Sequence, residues 1–251
     1  MSLSFKELKY LKKEPKEIFY KGKKELLERV KVSIVGTRRP NQYTKEFTFE
    51  LARELAKRGV VVVSGVAMGV DAIAHRGAGA CNTIAVVANG LDIKYPAVNK
   101  SLIEDIEKDG LILSTFKDGF RATKWSFVVR NELVVALGEV LIVTEADLNS
   151  GSMRSVEYAL SMGKEVFVLP HRLNESLATN RLLEERKAKP IYNIVDFANR
   201  FGKINESSNE FLEFIKKDNS LDSVIAKFGD RVYEAELEGE IAIENGYIVI
   251  L

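Results

Sequence analysis

The sequence predicts an α/β fold: a doubly wound, mainly parallel sheet with helices on both faces, followed by a small winged-helix-like domain. Three observations carry this. From Val32 onward, short runs of Val, Ile and Leu recur, nearly continuous rather than alternating, as in strands buried on both faces. Stretches of helical period separate them, and such alternation closes into a parallel sheet. Residues 210–251 break the pattern, with short helices followed by two strands around Asn245-Gly246.

The first strand, Val32–Val35, leads into Tyr43–Arg58. There Phe47, Leu51 and Leu55 recur every four residues beside Ala52 and Ala56, one apolar stripe that Gly59 stops. Val60–Ser64 is the next strand and Val70–Gly77 the next helix. Thr83–Val87 and Leu111–Ser114 flank a helix at Asn99–Lys108. Helices at Ser126–Leu137, Ser152–Met162 and Ser176–Lys187 precede strands at Val140–Thr144, Glu165–Leu169 and Ile191–Asn193. Lys203–Asn209 is polar and reads as a linker, so the domains run 1–202 and 210–251. In the tail, Phe211, Phe214 and Ile215 mark one helix, Leu221–Lys227 a second and Val232–Glu238 a third. Ile241–Ile243 and Tyr247–Leu251 form the hairpin.

At 251 residues, 46% apolar and 29% charged, the chain has the composition of a globular protein with one large domain and an appendage. A lone cysteine, Cys81, forms no intrachain disulfide and reads as a buried, inert thiol; with two histidines, a Cys/His zinc site is excluded. The longest uncharged stretch, Gly77–Leu91, is too short to span a membrane, and the Lys/Glu-rich start carries no signal-peptide core. A reducing cytoplasm is the expectation. The formal net charge is +1, but it is unevenly spread. Met1–Arg39 holds twelve Lys/Arg against five Glu, and Lys203–Leu251 five basic against eleven acidic residues. A DNA-reading winged helix carries a basic face, so the acidic tail is expected to meet protein instead.

In parallel sheets of this kind ligands bind beyond the carboxyl ends of the strands. After Val35 comes Gly36-Thr37-Arg38-Arg39-Pro40: a glycine for close approach, a hydroxyl, and guanidinium forks that match phosphate oxygens. After Val63 comes Ser64-Gly65-Val66-Ala67-Met68-Gly69-Val70-Asp71, which is neither a dinucleotide fingerprint nor a P-loop but permits an anion-cradling nest. After Thr144, Asn149-Ser150-Gly151-Ser152-Met153-Arg154 heads a helix, a third anion loop.

Phe120–Glu132 interleaves Arg121, Lys124 and Arg130 with Phe120, Trp125 and Phe127. That pattern suits single-stranded nucleic acid, with cations along phosphates and rings on bases, and equally suits rings buried at the start of a helix. His75, four residues after Asp71, reads as a capping or packing pair with it rather than a metal site. No residue supplies a base to Ser64, Ser150 or Ser152, so no catalytic residue is assigned.

Together these motifs resemble the DNA processing protein A family (DprA, also called Smf) of natural transformation. The matching elements are Val32–Pro40, Val63–His75, Asn89–Pro96 (N-G-L-D-I-K-Y-P), Phe127–Asn131 (F-V-V-R-N), Asn149–Ser152 and Glu165–Pro170, with Pro15–Leu27 as lead-in and Phe228–Gly239 in the small terminal domain. The resemblance covers roughly residues 15–200. It implies an extended Rossmann-like core, a homodimer, single-stranded DNA binding and loading of the RecA recombinase, with no reaction, cofactor or metal. Carried over by motif, Arg38 holds a phosphate in a loop shaped by Gly36 and Thr37. Lys124 contacts the backbone, Phe127 stacks on a base, and Arg130 and Asn131 line the pocket. Ser64, Gly65, Gly151 and Ser152 complete it. Many members have arginine where Met68 and Glu132 stand here, so this chain presents less positive charge.

Two other readings remain open. One is a phosphoribohydrolase of the lysine-decarboxylase-like group, whose Pro-Gly-Gly-x-Gly-Thr loop is here Asn149–Arg154, with Glu157 beyond. The other is a nucleotide sensor or protein-interaction scaffold that uses the same anion loops without DNA.

Overall fold

The computed structural model describes residues 3, 5–204, 206–237 and 239–251, without the side chains of 206–209. It divides into two compact units, Met1–Lys203 and Ile204–Leu251.

The first unit is an eight-stranded sheet in the order β1-β5-β4-β3-β2-β6-β7-β8. The strands are β1 (Phe19–Gly22), β2 (Lys31–Val35), β3 (Val61–Ser64), β4 (Thr83–Val87), β5 (Leu111–Ser114), β6 (Leu141–Val143), β7 (Val166–Val168) and β8 (Lys189–Pro190). All pairings are parallel except β1 with β5. The chain runs outward from β2 to β5, then returns to place β6 on the other side of β2. That reversal is the switch point where the flanking loops diverge and leave a crevice.

The helices are α1 (Gln42–Lys57), α2 (Val70–Ala78), α3 (Lys100–Asp109), α4 (Lys124–Leu137), α5 (Gly151–Ser161), α6 (Leu177–Glu184) and α7 (Ile194–Ala198). Strand residues alternate between two apolar layers. Val61 and Val63 pack with Leu133 and Leu137 of α4, whereas Val60, Val62 and Ile34 pack with Leu51 and Leu55 of α1 and Val70 of α2. Both sheet faces are therefore covered, which is why the strands read as continuous apolar runs. Ser33 interrupts β2 and donates its hydroxyl to the Val134 carbonyl of α4 at 2.6 Å, so even this polar strand residue is satisfied inside.

Three expectations change. Strand β1 is an antiparallel edge within the lead-in segment. The last strand is Lys189–Pro190, not Ile191–Asn193; Asn193 instead caps α7, accepting from the Asp196 N–H at 3.1 Å. Cys81 is exposed, because Ala80–Asn82 forms a 3-10 turn that lifts it off the core.

The second unit holds α8 (Glu206–Lys217), α9 (Leu221–Phe228), α10 (Arg231–Leu237) and the hairpin β9 (Ile241–Glu244) with β10 (Tyr247–Ile250). Helix α8 begins inside the stretch expected as linker, whose Asn205 lies outside the described residues, as does Glu238. Phe211, Ile215, Val224, Val232, Ile241 and Ile248 form its own core. Asn245 and Gly246 both have positive φ, 51° and 83°, as the two-residue turn requires.

Candidate nucleic-acid interface

The loop after β2 is fitted by close backbone approach. A Cβ on Gly36 would stand 2.6 Å from Val70 Cγ2 and 3.0 Å from the Glu145 carbonyl, so only glycine fits. Thr37 N–H donates to the Glu145 carbonyl (2.9 Å), and the Thr37 carbonyl accepts from Val70 N–H (3.1 Å). These two bonds lace together the loops after β2, β3 and β6. Thr37 Oγ1 accepts from Arg39 N–H (3.2 Å), and Asn41 caps α1 through Thr44 N–H (2.8 Å). Arg38 is left exposed, its guanidinium 5.4 Å from the centre of the Phe127 ring.

Helix α4 brings the next group. Thr123 and Ser126 form a reciprocal capping box, which fixes where the helix starts. Lys124 therefore stands exposed on the first turn. Phe127 is half-buried, its ring centre 5.4 Å from the Arg38 guanidinium and 5.7 Å from that of Arg130. Among the described residues neither Arg38 nor Lys124 makes an ion pair.

Arg130 is different. It is 5% exposed, and Nη1 lies 3.5 Å from Oδ2 of Asp71, itself 6% exposed. A Cβ on Gly65 would fall 0.9 Å from that Nη1, so the guanidinium occupies the space of a missing side chain. Burial pushes the Asp71 carboxyl above its usual range, with the Arg130 charge pulling it back. Burial likewise lowers the Arg130 guanidinium, opposed by Asp71.

Helix α5 supplies the far wall. Ser150 caps it, accepting from Ser152 N–H at 3.2 Å, and Arg154 pairs with Glu157 at 2.6 Å. The three walls enclose a recess of about 640 Å³. Gly36, Thr37, Arg38, Lys124, Phe127, Arg130, Asn131, Gly151 and Ser152 all line it. Gly65 lines a small cleft beside it. Ser64 is the exception. It is fully buried and donates to the Ile34 carbonyl at 2.6 Å, so it holds β3 to β2 and faces no ligand.

Two further sequence readings are corrected. Asp71 and His75 are not a pair: Asp71 turns to Arg130, and His75 Nδ1 lies 2.5 Å from Thr83 Oγ1. Trp125 is no core residue; it is 62% exposed and packs edge-on against Phe116, outside the recess. Asp71 and Asn149 line the recess without having been singled out as site residues. The signal at Asp71 is weak, since an acidic residue on the first turn of a helix is common. Among the described residues no three His, Cys, Asp or Glu are grouped to hold a metal.

His75 carries a stability prediction. Burial, with Arg130 adding repulsion, lowers its pKa from 6.5 to about 3. The unfolded chain takes up that proton below its ordinary value, and the folded chain holds it off until about 3. Stability from this group is therefore full above pH 6.5 and falls as pH drops toward 3, by up to about 1.4 kcal/mol per pH unit. Urea midpoints at pH 7 and pH 5 should differ less in His75→Gln than in the parent. An equal difference in both would refute the assignment.

Residues 5–202 match the family model of DNA recombination-mediator protein A. The solved structure of DNA processing protein A from Helicobacter pylori, a study of its single-stranded DNA binding mode, superposes with a TM-score of 0.78 at 47% identity, covering 80% of this chain and 93% of that one. The Streptococcus pneumoniae DprA structure gives 0.72 at 33% identity, covering 78% and 70%. The DprA sequence of Bacillus subtilis is 33% identical over 210 residues, 82% of this chain and 70% of its own. The match spans 58% of the full S. pneumoniae sequence. No helix among the described residues is long and apolar enough to cross a membrane. With the family model matching most of its length, and the recess built from the motifs that define the resemblance, the chain belongs to the DNA recombination-mediator protein A family.

Proposed function

We propose that this protein binds single-stranded DNA in the recess between α4, α5 and the β2 loop. The observation that carries this is the trio Arg38, Phe127 and Lys124: two uncommitted cations beside a half-buried ring, at the sheet's switch point. Cations without carboxylate partners are free for phosphates, and a ring face accepts any base. Binding is then salt-sensitive and indifferent to sequence. The family resemblance extends the reading to a cytoplasmic homodimer that delivers the strand to RecA during transformation, as a binding protein rather than an enzyme.

The test is fluorescence anisotropy with a labelled oligo-dT of about thirty nucleotides, longer than one binding footprint, and a matched duplex, over a salt series. Preference for the single strand with a steep salt dependence is expected. No binding of the single strand at low salt by folded protein would overturn the reading and turn attention to mononucleotide binding or base release. RecA loading is then measured as faster filament formation on DNA already coated with a single-strand-binding protein.

A further inference from the structure

Residues 6–16 of the lead-in segment hold five lysines and two glutamates. The lysines, Lys6, Lys9, Lys12, Lys13 and Lys16, are all exposed, and among the described residues none of them makes an ion pair. Glu7 does not offset them. It is 6% exposed and pairs at 3.0 Å with Lys31, itself 3% exposed, so its charge is met inside. That leaves Glu14 alone against five cations. Unmatched like charges repel one another, and a polyanion laid across them relieves the repulsion.

The segment is seated by its own spacing. Phe5, Leu8 and Leu11 recur every three residues, and so do Lys6, Lys9 and Lys12. Lys6–Tyr10 is a 3-10 helix with three residues per turn, so the apolar set turns inward as the lysine set turns outward. Leu8 is buried in the core that holds Leu133 and Leu137 of α4, and Phe5 and Leu11 pack against that core. Lys12 is then held against both helices that wall the recess. Its N–H donates to Oε1 of Glu132 on α4 at 2.9 Å, and its Nζ stands 5.8 Å from the centre of the Tyr158 ring on α5. Glu132 follows Asn131, and Tyr158 lies one helical turn beyond Arg154, on the same face. Asn131 and Arg154 both line the recess, so the lysine edge begins where the recess wall ends. The two carboxylates on this route are engaged, Glu132 by the Lys12 N–H and Glu157 by Arg154 at 2.6 Å.

We propose that this lysine edge carries the phosphate track out of the recess: a single strand seated at Arg38 and Lys124 leaves past Arg154 and lays its backbone along Lys12, Lys13 and Lys9. The partner is the sugar–phosphate backbone of that same strand, so the proposal rests on the single-strand reading above and adds to it a second contact surface. Contiguity with the recess through Lys12 is what favours the strand over another polyanion. Ammonium groups on flexible stems act as point charges toward phosphate, so the edge adds affinity and salt dependence without reading sequence. A strand short enough to end inside the recess does not reach it, and the contribution appears only with length.

The experiment compares the parent with the triple variant Lys9→Gln, Lys12→Gln, Lys13→Gln on two probes at low salt: oligo-dT of about thirty nucleotides and oligo-dT of about six, near the short end of single-strand site sizes. The three side chains are exposed and unpaired, so the variant should unfold at the parent's temperature. On the long probe it is expected to bind about tenfold or more weakly, and its slope of log affinity against log salt should fall by about 2, at roughly 0.7 for each phosphate released. On the short probe it should bind as the parent does. Equal losses on both probes would mean that the lysines act on the recess itself, and parent-like affinity and slope on the long probe would mean that the strand does not touch them. Either result overturns the proposal and leaves single-strand binding intact. In the second case, binding of phosphatidylserine vesicles by the parent and not by the variant would assign the edge to a lipid surface instead. Failure of the parent to bind either probe would remove the single-strand reading, and the extended track with it.

Discussion

Asp71→Ala is expected to cost about 3–5 kcal/mol of folding stability, the range for breaking one partner out of a buried ion pair. Both members are nearly inaccessible, and desolvation is the largest influence on each. The pair is therefore expensive to bury, and its geometry, 3.5 Å from Nη1 to Oδ2, is loose. Removing the carboxylate leaves that cost and takes away its compensation. Arg130 Nε already lacks a hydrogen-bond partner, and the guanidinium sits against Gly65. Urea unfolding would show the loss as a lower midpoint at unchanged slope. The double variant Asp71→Leu with Arg130→Met should regain most of it, because replacing both charges removes the desolvation cost as well. A single variant within about 1 kcal/mol of the parent would mean that Arg130 swings to solvent. The buried pair would then not be what fixes this wall of the recess.

That pair also marks where sequence reading ends. Asp71 and Arg130 are fifty-nine residues apart, so no local spacing joins them. Helical period offered His75 as the partner of Asp71, and tertiary packing chose otherwise. The loops were legible because each is a local device: Gly36 after a strand, and Ser150 and Ser152 flanking a glycine at the head of a helix. Convergence of the loops followed from the strand–helix alternation, since parallel strands bring their carboxyl ends to one edge. Ser64 was misplaced because position in a loop motif says nothing of direction: it is the last residue of β3 and turns its hydroxyl to β2. Strand β1 left no trace in the apolar pattern. It is four residues long, mostly exposed, and seated where Gly22, at φ 100°, passes so near the Gly110 carbonyl that a Cβ would stand 2.2 Å from it.

Lys124→Glu is expected to reduce single-strand affinity strongly while leaving the fold as stable as before or slightly more so. Lys124 is the first residue of α4, where a cation opposes the helix dipole and an anion is favoured by about 0.3–1 kcal/mol. Charge reversal there helps the helix and repels a phosphate, so stability and binding move in opposite directions. No loss of structure can then be blamed for lost affinity. Arg38→Ala removes the second cation from an exposed loop position, where the structure gives it no ion pair to lose. A hydrogen bond to a charged group contributes about 1.5–3 kcal/mol, so each change should weaken binding at least roughly tenfold. If each residue neutralises one phosphate, the slope of log affinity against log salt should fall by about 0.7 for Arg38→Ala. Parent-like affinity in both Arg38→Ala and Lys124→Glu, with both folded, would mean that this recess does not hold the strand.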